Sequence, residues 1–133
     1  MTELSWKAGD TPIVGEFLEL YQACGLGRRN AAAAAKGLSG SLYCVTAKSG
    51  VRLVAMGRIV GDGGMAATLV DLLVAPDMRG QGIGRELVDR LVAWCHEELP
   101  RSCVITAIPQ PGSYSVYKSA GFEIAGGMAL TLP

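Results

Sequence analysis

The residues best suited to chemistry lie in the run Leu72-Leu73-Val74-Ala75-Pro76-Asp77-Met78-Arg79-Gly80-Gln81-Gly82-Ile83-Gly84-Arg85. The apolar segment that ends at Pro76 reads as a buried strand. The periodic segment that opens at Gly82 reads as a long helix. Glycines between them let the backbone take positive φ and let a ligand come close. The first amides of a helix lack internal partners. With the helix dipole they form an anion site suited to a pyrophosphate. Arg79 and Arg85 add charge at its rim.

Several ligands use such loops, and spacing separates them. A Walker loop needs Gly-Lys-Ser/Thr, whereas Gly84 is followed by Arg85. A dinucleotide fingerprint needs G-x-G-x-x-G and an acid at the end of the next strand. Here Gly80, Gly82 and Gly84 are spaced two apart, and the next strand ends at Ala107–Ile108 without an acid. Glycines serving only to turn the chain would weaken the helix start without return.

Arg79-x-x-Gly82-x-Gly84, preceded by Val74-Ala75-Pro76, resembles the acetyl-CoA-binding motif of the GNAT N-acetyltransferase superfamily. Downstream, Tyr117-Lys118-Ser119-Ala120-Gly121-Phe122 is similar to that superfamily's Y-x-x-x-G-F segment. The resemblance covers Ala66 to Phe122, with a strand between the two motifs; the first 40 residues match only in pattern, one strand and two helices. It implies a V-shaped opening between two parallel strands that takes the pantetheine arm of acetyl-CoA. It further implies that backbone groups near Leu73 and Val74 bond the arm. The amides of Arg79, Gly80, Gln81, Gly82, Ile83, Gly84 and Arg85 would then hold the pyrophosphate.

Acetyl transfer to an amine requires loss of the amine proton, stabilisation of an oxyanion and protonation of the departing thiolate. The resemblance puts Tyr117 near the thioester sulfur, as general acid and part of the cofactor site. A tyrosine is protonated at neutral pH. Its alternative is a packing role at a helix end, and Tyr114 is a weaker substitute. Gln110, between Pro109 and Pro111, stands where the family often has asparagine. Asp71 is the lone acid in the apolar run Leu69–Leu73, and burying it is costly unless it has a task. In related enzymes an acid on this strand often deprotonates the amine, sometimes through water, so Asp71 is the candidate base; some family members need only water for this step. It could instead face solvent or pair with Arg58. Alternation groups it with Leu69 and Leu73, unless a bulge turns it. A covalent route is disfavoured: Cys95 and His96 are adjacent on a helix and cannot face each other. Direct attack in a ternary complex is expected. A catalytically inactive acyl-CoA-binding regulatory or interaction module is the alternative, and another phosphate-ligand binder a third.

The elements that must position these residues follow from periodicity. Ile13–Ala23 reads as an amphipathic helix, and Ala31–Ala35 as a second, capped by Asn30 and stopped by Gly37 and Gly40. Ser41–Lys48, Val51–Val60 and Ala66–Ala75 read as an antiparallel meander, joined at Ser49-Gly50 and Gly61–Gly64. A helix from Gly82 to about Glu98 leads to a strand at Ser102–Ile108, a right-handed parallel crossover. A short helix near Ser113–Ser119 and a last strand near Gly127–Leu132 complete an α/β fold. Its mixed sheet is antiparallel at first, then parallel around the cofactor, and flanked by helices. That last strand leaves a homodimer open.

The 133 residues suit a single domain, 1–133. A hydrophobic content of 50% excludes a disordered chain. Equal counts of 12 basic and 12 acidic residues argue against a nucleic-acid partner. No apolar run approaches the ~20 residues of a membrane helix. The start Met1–Lys7 lacks a secretory pattern, and Cys24, Cys44, Cys95 and Cys103 lack metal or redox spacing. A cytoplasmic protein with reduced, mostly buried thiols and no metal is expected. The acceptor, a small molecule or a peptide amine, should meet the N-terminal helices, the Gly25–Asn30 loop and the tip near Gly61–Gly64. Arg28 and Arg29 could attract an acidic acceptor or be merely solvated, and Trp6 and Tyr21 could line its pocket.

Overall fold

Short connections between β-branched runs force neighbouring strands to run antiparallel, because a parallel return needs a crossover. The computed structural model describes residues 3–133; Met1 and Thr2 of the Met1–Lys7 start lie outside the described residues. Strands β1 (Ser5–Ala8), β2 (Tyr43–Ser49), β3 (Arg52–Gly61), β4 (Ala66–Val74) and β5 (Val104–Ala107) form one sheet in that order. The first three pairings are antiparallel and β4–β5 is parallel. The β2–β3 turn holds Gly50 at φ 62°, and the β3–β4 turn is closed by Asp62, whose Oδ1 accepts from the Gly64, Met65 and Ala66 amides.

The helices are α1 (Val14–Ala23), α2 (Ala31–Ser39), α3 (Ile83–Glu98) and α4 (Tyr114–Lys118). Asn30 caps α2 by accepting from the Ala33 amide at 2.9 Å. Contrary to expectation, α2 runs through Gly37 and stops at Gly40. Leu38, only 4% exposed, holds the last turn against the core, and tertiary packing outweighs the glycine's propensity. Adjacent β3 residues reveal how the layers stack. A Cβ on Gly57 would lie 2.6 Å from Leu91 Cδ1 of α3, whereas Arg58 reaches the carbonyl of Gly37 in α2. Successive strand residues face opposite ways, so α2 and α3 cover opposite faces. Leu87, Val88 and Leu91 of α3 are fully buried, as are Val45, which pairs with Gly57, and Ile59, two residues further along the same face.

The expected last strand near Gly127–Leu132 is absent as a strand. Those residues are unpaired and exposed, since a strand needs an adjacent ladder and none is engaged there. The four cysteines are free; Cys44 and Cys95 are buried, Cys24 and Cys103 half-buried.

Burial pushes the Cys44 thiol from 9.0 up to about 11, and the Tyr117 phenol from 10.0 up to about 12. The folded state therefore holds both protons more tightly than the unfolded chain. Their stabilisation is complete below the unfolded values and is lost as pH rises through the folded ones. Thermal unfolding at increasing pH should show Tm declining from about pH 9 to about pH 12. Each group contributes at most about 3 kcal/mol to that loss. A Tm that is flat across this window contradicts the burial of both groups.

Candidate active site

The site begins where two strands part. Parallel pairing runs from Ala66↔Val104 to Leu69↔Ala107 and stops, although β4 continues to Val74. The upper half of β4 thus has an open edge. The parting coincides with a bulge. Arg58 pairs with Val70 and Met56 with Leu73, so Asp71 and Leu72 together oppose Gly57. Asp71 sits in the left-handed region at φ 51°, a conformation that Asp tolerates better than most residues.

An open groove follows this edge. It is lined by Thr68–Val74 on β4, by the loop and first turn of α3, and by Ile108, Gln110, Val116 and Tyr117 across from them. The Ala75 amide donates to Val54 on β3, so the Val74 amide points the opposite way, into the groove. The Val74 carbonyl is already engaged. It accepts from Arg79 Nε at 3.1 Å and from the Cys24 thiol at 3.4 Å. Leu73 contributes a buried side chain that shapes the floor.

At the end of the groove, Pro76–Met78 form a 3-10 turn, anchored to β3 by two bonds from Arg52 to Asp77 at 2.7 and 2.8 Å. Gly80 and Gly82 adopt φ 82° and 80°, which explains the glycines there. Gly82 caps α3 without a side-chain bond. The Arg79 amide donates weakly to Pro76 at 3.4 Å. Beyond it, the amides of Gly80, Gln81, Gly82, Ile83, Gly84 and Arg85 have no protein acceptor among the described residues; internal bonding starts with Glu86 to Gly82. This row of free donors, at the positive end of a 16-residue helix, fits a diphosphate. Gly84 needs neither positive φ nor space within the chain, since a Cβ would meet only Val74 Cγ2 at 3.9 Å.

Tyr117 lies on the far wall, 6% exposed, its ring edge-on to Phe122 at 5.6 Å. Its hydroxyl makes no hydrogen bond among the described residues, and desolvation keeps it protonated, with a pKa near 12. Tyr114 is 46% exposed. Asp71 lines the groove, yet its Oδ2 accepts from Arg58 Nε at 2.7 Å. The same guanidinium donates from Nη1 to the Gly37 carbonyl and the Ser41 hydroxyl. The pair is largely buried, so the Arg58 strap ties α2 to the bulge.

Removing one partner of such a pair strands a buried charge. Arg58→Leu should cost about 3–5 kcal/mol, and the double variant Arg58→Leu/Asp71→Leu much less. Urea unfolding of the two variants checks this; equal losses would mean the charges are not coupled.

His96 is exposed, as its acidic neighbours suggest, and no metal-binding cluster occurs among the described residues. Tyr21 and Arg29 reach the groove, with Arg29 over the Tyr21 ring at 5.1 Å, and Arg28 stays exposed. Trp6 instead lies under Arg90 of α3, 4.4 Å from the ring. Cys24, distant in sequence, carries no spacing signal that could have brought it to Val74.

The acetyltransferase (GNAT) family model matches residues 13–122. The chain belongs to the GNAT family. Among solved GNAT-like structures, the Staphylococcus aureus protein SA2161, a probable acetyltransferase of unknown function, is 26% identical with a TM-score of 0.91. That alignment covers 98% of this chain and 100% of that one. The GNAT protein SP0256 from Streptococcus pneumoniae is 28% identical, with a TM-score of 0.78 and 98% of each chain covered. An uncharacterised N-acetyltransferase, ycf52 of Porphyra purpurea, is 31% identical over 74 residues, 56% of this chain. The match spans 41% of that relative's length. The family's mixed, splayed sheet is the one described above.

Proposed function

We propose that the chain is an acetyl-CoA-dependent N-acetyltransferase. The observation that carries this reading is the row of unpartnered amides from Gly80 to Arg85 beside the open β4 edge. A diphosphate at the helix start and an amide-containing arm along the strand are the two halves of one coenzyme. The Val74 amide is free to bond the arm, and Arg79 can leave the Val74 carbonyl and turn its charge to a phosphate.

The amine nitrogen attacks the thioester carbonyl directly within a ternary complex, the new C–N bond forms and the C–S bond breaks. Tyr117 donates its phenolic proton to the departing sulfur. Free thiols have pKa values of about 8.5, so full transfer from a phenol near 12 runs uphill in water. The same apolar wall raises the proton affinity of the thiolate, which narrows the gap. Asp71, with Oδ2 held by Arg58, offers Oδ1 to the proton leaving the amine, through a water molecule. The acceptor amine enters from the side of Tyr21 and Arg29.

Calorimetric titration with acetyl-CoA, beside NAD and ATP, tests the coenzyme. Selective micromolar binding supports the reading, and equal binding of ATP removes it. An amine panel scored by CoA release tests the transfer. If Asp71 takes the proton, Asp71→Asn should lower kcat while the variant stays folded. A loss of stability alone would assign it to structure.

A further inference from the structure

The charges along the groove do not balance. Among the described residues that line it, Asp71 is the one carboxylate, and Arg58 already neutralises it at 2.7 Å. Three arginines line it as well: Arg29, Arg79 and Arg85. Arg79 and Arg85 flank the free amides at the start of α3, where a diphosphate fits. Arg29 comes from a different wall, the loop between α1 and α2, next to the Asn30 cap.

Arg29 is steadied although it pairs with no acid. Its guanidinium lies over the Tyr21 ring, 5.1 Å from the centroid. Tyr21 packs in turn on Phe17 at 5.6 Å, and Phe17 is a core residue, 3% exposed. At the end of α1 the Cys24 thiol donates to the Val74 carbonyl, so the helix that carries Tyr21 is docked on β4. A cation–π contact leaves the N–H donors of a guanidinium unspent. No carboxylate lies within ion-pair distance of Arg29 among the described residues. A planar fork with free donors matches a carboxylate through two parallel bonds.

We infer that the acceptor is an amine that also carries a carboxylate, and that Arg29 binds this carboxylate. The inference rests on the acetyl transfer proposed above. The amine end of the acceptor lies toward Asp71 and Tyr117, and the carboxylate end toward Arg29 and Tyr21. Charge disfavours the opposite class. An acceptor with a second ammonium group meets three guanidiniums and no free carboxylate along this groove. A free amino acid and an acidic residue beside a peptide's terminal amine present the same group to Arg29, and experiment separates these two sources.

Calorimetry on the full chain loaded with CoA tests this with matched pairs. Leucine is compared with isopentylamine, and phenylalanine with phenethylamine. An amidated peptide that begins with an acidic residue is compared with its glutamine counterpart. The carboxylate member of at least one pair should bind at least about 10-fold more tightly, the worth of a charge-assisted bond. The free-acid and peptide arms show which source supplies it. Arg29→Leu should abolish the preference. Arg29→Lys should restore part of it, because the charge returns without the fork. In the CoA-release assay Arg29→Leu should raise KM for the carboxylate acceptor with little change in kcat. Arg28→Leu, in the same loop but outside the groove lining, should keep the preference. Equal affinity within every pair overturns the inference, and so does a preference that survives Arg29→Leu. Weaker acetyl-CoA binding by Arg29→Leu would assign the residue to the coenzyme and overturn it too. A wild-type chain that does not bind acetyl-CoA loses the transferase reading itself, whatever the pairs show.

Discussion

Tyr117→Phe should reduce turnover by about 10²–10⁴-fold, the range expected for loss of a positioned general acid. Acetyl-CoA affinity should change little. The ring supplies the packing against Phe122 and the groove wall, and phenylalanine keeps it. The hydroxyl has no partner among the described residues, so its removal strands no donor or acceptor there. Stability should therefore stay within about 1 kcal/mol of the parent. Steady-state CoA release and calorimetry on the same preparation separate these effects. Unchanged turnover would mean that the thiolate departs without help. A large loss of affinity would make Tyr117 a binding group.

Gly84→Asp should abolish acetyl-CoA binding while leaving the protein folded. The new Cβ meets only Val74 Cγ2, at 3.9 Å, and a carboxylate in the first turn of α3 favours the helix by about 0.3–1 kcal/mol. That carboxylate occupies the space of the free amides and repels a diphosphate. Juxtaposed like charges cost several kcal/mol, so affinity should fall by at least about 100-fold. Thermal unfolding should show an unchanged or slightly raised Tm. Retained binding would move the diphosphate away from the helix start; a collapsed Tm would mean that Gly84 serves folding.

What was legible in the sequence was local. The glycines of the α3 loop revealed the turn and the row of free helix amides, because positive φ and unpaired first-turn donors are consequences of short segments. The apolar stripe of α3 and the meander of β2–β4 were legible for the same reason. The pairing of Asp71 with Arg58 was one of several options, since which strand neighbours meet depends on register. The bulge at Asp71 fixes that register, and one residue of slip decides it. Gly37 misled because a helix end set by Leu38 packing is a tertiary event. The apolar alternation of Met128–Leu132 was read as a strand, but a strand is a relation between two segments. No single segment can reveal whether its neighbour is there. The contact of Cys24 with Val74 joins residues 50 apart in the chain and leaves no trace in spacing.

The groove owes its shape to β4 outrunning β5, and its donors to a helix that starts beside the gap. On the proposed reading, main-chain atoms do most of the recognition there, and every amino acid except proline carries the same amide. Random substitution along the lineage therefore has little to act on at the coenzyme end of the groove, beyond its glycines. Selection would have freer play at the opposite rim, where, on the same reading, Tyr21, Arg29 and the α1–α2 loop would meet an acceptor through their side chains. Such an arrangement lets a lineage explore new acceptors by drift at one rim while its claim on the coenzyme stays intact at the other.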